Sequence, residues 1–237
     1  MSAAIFTINP QFSLSVRKMG EEQTPLVIID NLMVDTQPLI QQICQQNDFN
    51  QVQKNYYPGV RSDLNRDYVI AVLQAVYQQI GDIYQVPLEL KLKPLTSYYS
   101  LINKSANELV LLQRLPHFDS HKPYFFALLH YLDPSKHGNT GFFRHKPTGF
   151  ESINKPRVEN YLASASAFIK QHGEPEQQYM TESNEHFELY EQVEYKANRL
   201  IIYPGNLLHS SLVNPQTDID ANPATGRLTA NIFIDFQ

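Results

Sequence analysis

From Leu95 to the C-terminus the chain reads as a succession of short strand formers: LTSYYSLI, ELVLLQRL, YFFALLHYL, TGFFRH, EQVEYKA, NRLIIY and RLTANIFIDF. Such a series constrains the fold more than any other feature, because short strands must bury a face against one another or against helices. Fourteen Tyr, thirteen Phe and fifteen Pro against nine Gly agree with many strands and frequent interruptions. One stretch departs from the pattern. Over residues 155–172, Val158, Tyr161, Leu162, Ala165, Phe168 and Ile169 trace one helical face, and Gly173 with Pro175 supplies a stop. Residues 174–188 are polar and acidic and are expected to be an exposed connection.

Upstream, LVII at 26–29 reads as a short strand, followed after Asp35 by a helix with Leu39, Ile40, Ile43 and Cys44 on one face. A longer helix is predicted between Asp67 and Tyr84, where Val69, Val72, Leu73, Val76, Ile80 and Ile83 form a single stripe. The expected class is therefore mainly β with supporting helices (α+β). With 237 residues, 42% of them hydrophobic, a single domain is expected: 1–94 as N-terminal strand and supporting helices, 95–237 as β core with the helical insertion.

A formal charge of −5 offers no general attraction for nucleic acid or an anionic membrane, so neither partner is expected. Cys44 is the only cysteine, which excludes an internal disulfide and a Cys-rich zinc site and fits a reducing compartment. The N-terminus has no charged region followed by a sustained apolar run, and nowhere do roughly eighteen apolar residues follow one another. A soluble, cytoplasmic protein is the expectation.

Chemistry enters at Arg114-Leu115-Pro116-His117-Phe118-Asp119-Ser120, where an apolar run ends in His-x-Asp. Side chains two apart on an extended segment point the same way and can grip one ion. A second histidine, His209, follows the strand and turn Asn198 to Leu208. Two imidazoles and one carboxylate on one face of an octahedron leave three adjacent positions, the arrangement of non-haem Fe(II) oxygenases. Eighteen residues beyond His209 comes Gly226-Arg227-Leu228-Thr229, placing a guanidinium and a hydroxyl on one side of a strand. A planar guanidinium takes a carboxylate through two parallel hydrogen bonds.

With these residues in view, the region 95–237 resembles the 2-oxoglutarate/Fe(II)-dependent oxygenases, and within them the prolyl-hydroxylase-like branch. Ala127 to Leu132 followed by Gly138-Asn139-Thr140-Gly141-Phe142-Phe143 is similar to that family's Gly-Gly-Glu-Thr-type strand, and Tyr203 to Ser210 to its turn into the distal histidine. The resemblance implies a double-stranded β-helix (jelly-roll or cupin-like) barrel. It further implies Fe(II) on His117, Asp119 and His209, and 2-oxoglutarate as cosubstrate with its far carboxylate on Arg227, helped by Thr229. The substrate would be a small molecule, an amino acid or a peptide side chain. Where many members carry Tyr and Gly before the first histidine, this chain has Arg114 and Leu111, so Tyr99 and Gln113 are the candidates for the inner carboxylate.

Two other functions are compatible with the triad: a zinc-dependent hydrolase or isomerase on a cupin-like barrel, and a non-catalytic barrel that binds a ligand. The first does not explain Gly-Arg-x-Thr, and a non-catalytic barrel would be expected to have lost a ligand, whereas all three candidates remain. Among the remaining histidines, His130 is expected in the core and His137, His172 and His186 at the surface, while His121, two past Asp119, is expected beside the metal ligands or in solvent, since a fourth protein ligand would occupy an oxygen or cosubstrate position. Arg144 and His145 form a charged strand end, solvated or facing an acidic substrate, and Arg114 is either an ion-pair partner or a loop tether.

Overall fold

The computed structural model describes residues 6–46, 48–51 and 57–237. In chain order its regular elements are β1 (Ser13–Met19), β2 (Thr24–Asp30), α1 (Gln37–Gln46), β3 (Asn50–Gln51), β4 (Gly59–Asp63), α2 (Arg66–Ile83) and β5 (Leu92–Ile102). After these come β6 (Phe125–Tyr131), β7 (Thr140–His145), α3 (Val158–His172), β8 (Phe187–Val193), β9 (Arg199–Pro204), β10 (His209–Ser211) and β11 (Thr229–Phe236). The strands make an eight-stranded sheet in the order β1-β2-β9-β6-β11-β5-β4-β3 and a three-stranded sheet β10-β7-β8. The chain is mainly β with few helices, as its periodicity indicates, and no described helix is long and apolar enough to cross a membrane.

The central strands of the large sheet are apolar on both faces. Val27, Ile29, Phe126, Leu128, Leu200, Ile202, Ala230, Ile232 and Ile234 pack with the stripes of α1 and α2. Their neighbours Leu26, Ile28, Ala127, Leu129, Tyr131, Ile201 and Tyr203 point the other way, toward Phe142 and Val193 of the small sheet. Strands covered on both sides lose a clean polar alternation, which is why these runs read as nearly continuous hydrophobic segments. Each buried Leu, Ile or Phe contributes roughly 1.5–3 kcal/mol, and a one-residue slip would exchange the two faces, so register is strongly specified. The side chain of Asn65 accepts from the backbone N–H groups of Asp67 and Tyr68 and starts α2 where its apolar stripe begins. On α1, Leu39, Ile40 and Ile43 are buried as expected, while Cys44 is exposed.

Two expectations are corrected, and one strand was not foreseen. ELVLLQRL is not a strand but two 3-10 turns, Ala106–Glu108 and Leu111–Arg114. The Glu108 carboxylate takes the Ser105 N–H at 2.8 Å and the Gln113 Oε1 takes the Val110 N–H at 3.1 Å, so local side chains satisfy the backbone before a strand partner does. The strand expected at EQVEYKA begins earlier, as β8, so the end of the supposed exposed connection is ordered sheet with Phe187 fully buried. The unexpected β1 is an edge strand with six of its seven residues exposed, and lacks the apolar alternation by which strands are recognised.

Candidate metal centre

His117 and His209 form an isolated antiparallel bridge: the His117 N–H donates to the His209 carbonyl at 3.0 Å and the His209 N–H returns to His117 at 2.8 Å. Directly paired residues hold their side chains side by side, and the two ring centroids are 4.4 Å apart. Asp119 is fixed from the turn after β9, where the Gly205 carbonyl accepts its N–H at 2.7 Å and that of Ser120 at 3.0 Å. Glycine is required at 205, because a Cβ would lie 2.4 Å from the Phe125 ring and 3.3 Å from Asp119 Cβ. The Pro-Gly turn thus holds one candidate ligand while leading into another.

One ligand atom from each of His117, Asp119 and His209 lies within 4.8 Å of the others. Asp119 Oδ1 is 3.8 Å from His117 Nε2, and Asp119 Oδ2 is 3.6 Å from His209 Nε2. His209 Nδ1 faces the Leu207 carbonyl at 2.9 Å and must carry the hydrogen, which leaves the Nε2 lone pair toward the carboxylate. Asp119 Oδ2 is buried without a hydrogen-bond partner. A buried carboxylate oxygen of that kind is costly unless a cation meets it, so the donor set fits a divalent ion. His117 presents 57% of its side chain, but to a cavity walled by protein. That desolvation, with His209 and Arg61 nearby, lowers its pKa to about 3 and keeps the imidazole neutral. Burial raises the Asp119 carboxyl, although His209 and Arg61 pull it down.

The triad opens into a cavity of about 720 Å³ between the two sheets, with α3 and the Leu111–Arg114 turn along its rim. Tyr161, Leu162, Ala165 and Ile169 of α3 line it, so the helix's apolar face serves the cavity and Leu162 stays 54% exposed. Arg227 and Thr229 line it too, side by side as their spacing requires. Arg227 is almost fully buried; its Nε donates to the Gly138 carbonyl at 2.9 Å, while Nη2 is buried without a partner. Thr229 Oγ1 accepts from Asn231 Nδ2 at 3.1 Å. Gln113 is also on the cavity wall.

Tyr99 is not, and its expected contact with a cosubstrate is corrected. It lies opposite Ala230, on the face of β5 that packs in the helix-covered core, and is 1% exposed. Its neighbour Tyr98 lines the cavity instead, since successive strand residues face opposite ways. Arg61 and Asn231 are further cavity residues that the sequence did not single out. Asn231 has a readable signal, the strand alternation that continues from Arg227 and Thr229. Arg61 has none, being a lone cation in the short strand β4.

Behind Arg227, His137 is buried between Asp133 (2.8 Å to Nε2) and Asp218 (3.1 Å to Nδ1), not at the surface. Burial works to lower its pKa, yet the hydrogen bonds and charges of the two carboxylates prevail and raise it to about 9. His145 and His186 are likewise buried, their Nε2 atoms 2.9 Å apart beneath α3, because β8 starts early enough to carry His186 inward. Arg144 is held by Glu151 and Glu188. His130 is in the core as expected, hydrogen-bonded to Tyr68 and Asn198, and Arg114 tethers Glu174 and Pro175.

Among solved structures the chain is similar to HygX from Streptomyces hygroscopicus with nickel and 2-oxoglutarate bound, at 11% identity over 90% of this chain and 84% of that one, with a TM-score of 0.48. HygX with nickel, 2-oxoglutarate and hygromycin B bound gives 12%, 93%, 87% and 0.48 on the same measures. The non-haem α-ketoglutarate-dependent epimerase SnoN from nogalamycin biosynthesis gives 9%, 90%, 78% and 0.46. No curated protein matches the sequence. A family model matches residues 10–234, and the chain therefore belongs to the family it describes, a family of unknown function (DUF6445).

Proposed function

We propose that the chain is an Fe(II)- and 2-oxoglutarate-dependent oxygenase on a double-stranded β-helix, hydroxylating a small molecule, an amino acid or a peptide side chain. One observation carries the reading: a cavity that contains the His-Asp-His cluster also contains a buried guanidinium with a free Nη2. A water-activating zinc centre would use the cluster but has no need of that guanidinium. The large sheet's inner face and the small sheet β10-β7-β8 would be the two halves of the barrel. Residues 1–94 would belong to the same domain, since β1, β2, β3 and β4 are hydrogen-bonded into the large sheet.

Iron with 2-oxoglutarate and dioxygen supplies oxidative decarboxylation of the cosubstrate to succinate and carbon dioxide, together with oxidation of a substrate C–H bond. His117 and His209 would hold the iron through neutral imidazole nitrogens and Asp119 through its carboxylate. Arg227 would take the far carboxylate of 2-oxoglutarate, with the Thr229 hydroxyl beside it. The Gln113 Oε1 is engaged by Val110, so its amide N–H groups are the donors we assign to the inner carboxylate. α3 and the Leu111–Arg114 turn would exclude water from the reacting centre.

The test is anaerobic titration of the Fe(II)-loaded protein with 2-oxoglutarate, following the visible metal-to-ligand charge-transfer band. The band should appear, and should be lost in His209→Ala. Iron bound without the band would refute the cosubstrate assignment and favour a zinc or cupin-like role.

A further inference from the structure

The Arg61 guanidinium enters the cavity from β4 and rests on two tyrosine rings, 3.8 Å from the centroid of Tyr98 and 4.4 Å from that of Tyr57. Its Nε is buried without a partner, and no described carboxylate forms an ion pair with it. Stacking on aromatic faces fixes the plane of a guanidinium while leaving its in-plane N–H fork available, the geometry suited to a carboxylate.

Charge points the same way. On the reading above, the charged groups of the cavity wall among the described residues are Asp119, Arg227 and Arg61. A divalent metal would be set against Asp119 and Arg227 against the far end of the dicarboxylate, which leaves Arg61 as the cation of the described wall to which no partner is assigned. Asp133 and Asp218 lie behind Arg227, where His137 offsets one of their two charges and Asp218 Oδ2 is 4.0 Å from Arg227 Nε, so the remaining negative charge is next to Arg227, and neither carboxylate forms an ion pair with Arg61. The α3 and Leu111–Arg114 side of the wall is largely apolar, with Leu112, Leu115, Phe118, Leu162 and Ile169 beside the polar Gln113 and Ser166.

We propose that Arg61 is the substrate's anion receptor, so that the molecule oxidised in this cavity is a carboxylate-bearing small molecule with an apolar body. The inference rests on the oxygenase reading and narrows its substrate class. Carboxylate is also the chemistry of the cosubstrate's inner end, so the experiment separates the two sources.

The Ni(II)-loaded protein, with 2-oxoglutarate bound and turnover blocked, is titrated with phenylacetate, hydrocinnamate and octanoate, and with the primary amide of each, by calorimetry or ligand-observed NMR. At least one acid should bind more tightly than its amide. Arg61→Gln should weaken that acid roughly 10- to 100-fold, the span expected for loss of a hydrogen bond to a charged group, and should leave the amide unchanged. Arg61→Lys should restore part of the preference. 2-Oxoglutarate affinity should change less than threefold in either variant. No acid preference in any pair with the wild-type protein overturns the proposal, whatever the variants do. A fall in 2-oxoglutarate affinity exceeding the loss for the acids assigns Arg61 to the cosubstrate and overturns it as well. If the wild-type protein binds no 2-oxoglutarate, the oxygenase reading fails by itself, and the acid–amide comparison on the metal-loaded protein still decides the role of Arg61.

Discussion

Replacing Arg227 by methionine separates the role of its charge from the role of its volume. Methionine fills a similar space and keeps the apolar contacts with the Tyr131 and Tyr195 rings, whose centroids lie 5.6 and 5.5 Å from the guanidinium carbon. What disappears is the hydrogen bond to the Gly138 carbonyl, worth about 1 kcal/mol, and the 4.0 Å ion pair with Asp218, together with a buried cation whose Nη2 has no partner. These effects oppose each other, so the ligand-free variant should melt within about 4 °C of the wild type. The consequence for 2-oxoglutarate is much larger. Loss of a charge-assisted pair in an enclosed site, leaving the far carboxylate unmatched, costs about 2–4 kcal/mol, which raises Kd roughly 30- to 700-fold. Anaerobic titration of the iron-loaded proteins measures this directly, and thermal shift checks it independently. At about one hundred times the wild-type Kd, 2-oxoglutarate should stabilise the wild type by about 2.7 kcal/mol and Arg227→Met by only about 0.1–0.9 kcal/mol. Iron affinity should be unchanged. A variant that binds 2-oxoglutarate within threefold of the wild type would refute the reasoning.

Asp119→Ala should abolish stoichiometric iron binding without lowering the melting temperature of the metal-free protein, since Oδ2 makes no hydrogen bond there; metal analysis and calorimetry read both, and retained iron would remove Asp119 from the ligand set. His137, with its pKa raised to about 9, contributes stability that is complete below its ordinary value of 6.5 and is lost as pH rises through 9. The loss, about 2–3 kcal/mol, should appear in melting curves between pH 6.5 and 9.5 and be flattened in His137→Gln; an unchanged slope would show that the imidazolium is not the cause. Tyr99→Phe should leave 2-oxoglutarate affinity unaltered, because its ring lies in the helix-covered core, and weakened binding would reinstate the contact withdrawn above.

The β-rich class, the three metal-ligand candidates and the pair Arg227 and Thr229 were legible in the sequence, because each is marked by local spacing. His-x-Asp, Pro-Gly-x-x-x-His and Arg-x-Thr keep their meaning wherever the chain folds. The helices α1 and α2 were legible for the same reason, through stripes of apolar residues at helical spacing. Which face of each strand meets the cavity emerges only from the packing of the folded chain. Tyr98 and Tyr99 are chemically equal in the sequence, and only the pairing of β5 with β11, with α2 covering one side, turns one inward to the cavity and the other to the core. The burial of His137 depends on Asp133 and on Asp218, eighty-one residues away, and that of His145 and His186 on where β8 begins. Arg61 came within reach of the metal cluster only through the order of strands in the large sheet. Those decisions are non-local: burial and charge pairing act between residues distant in the chain, and no window of sequence contains both partners.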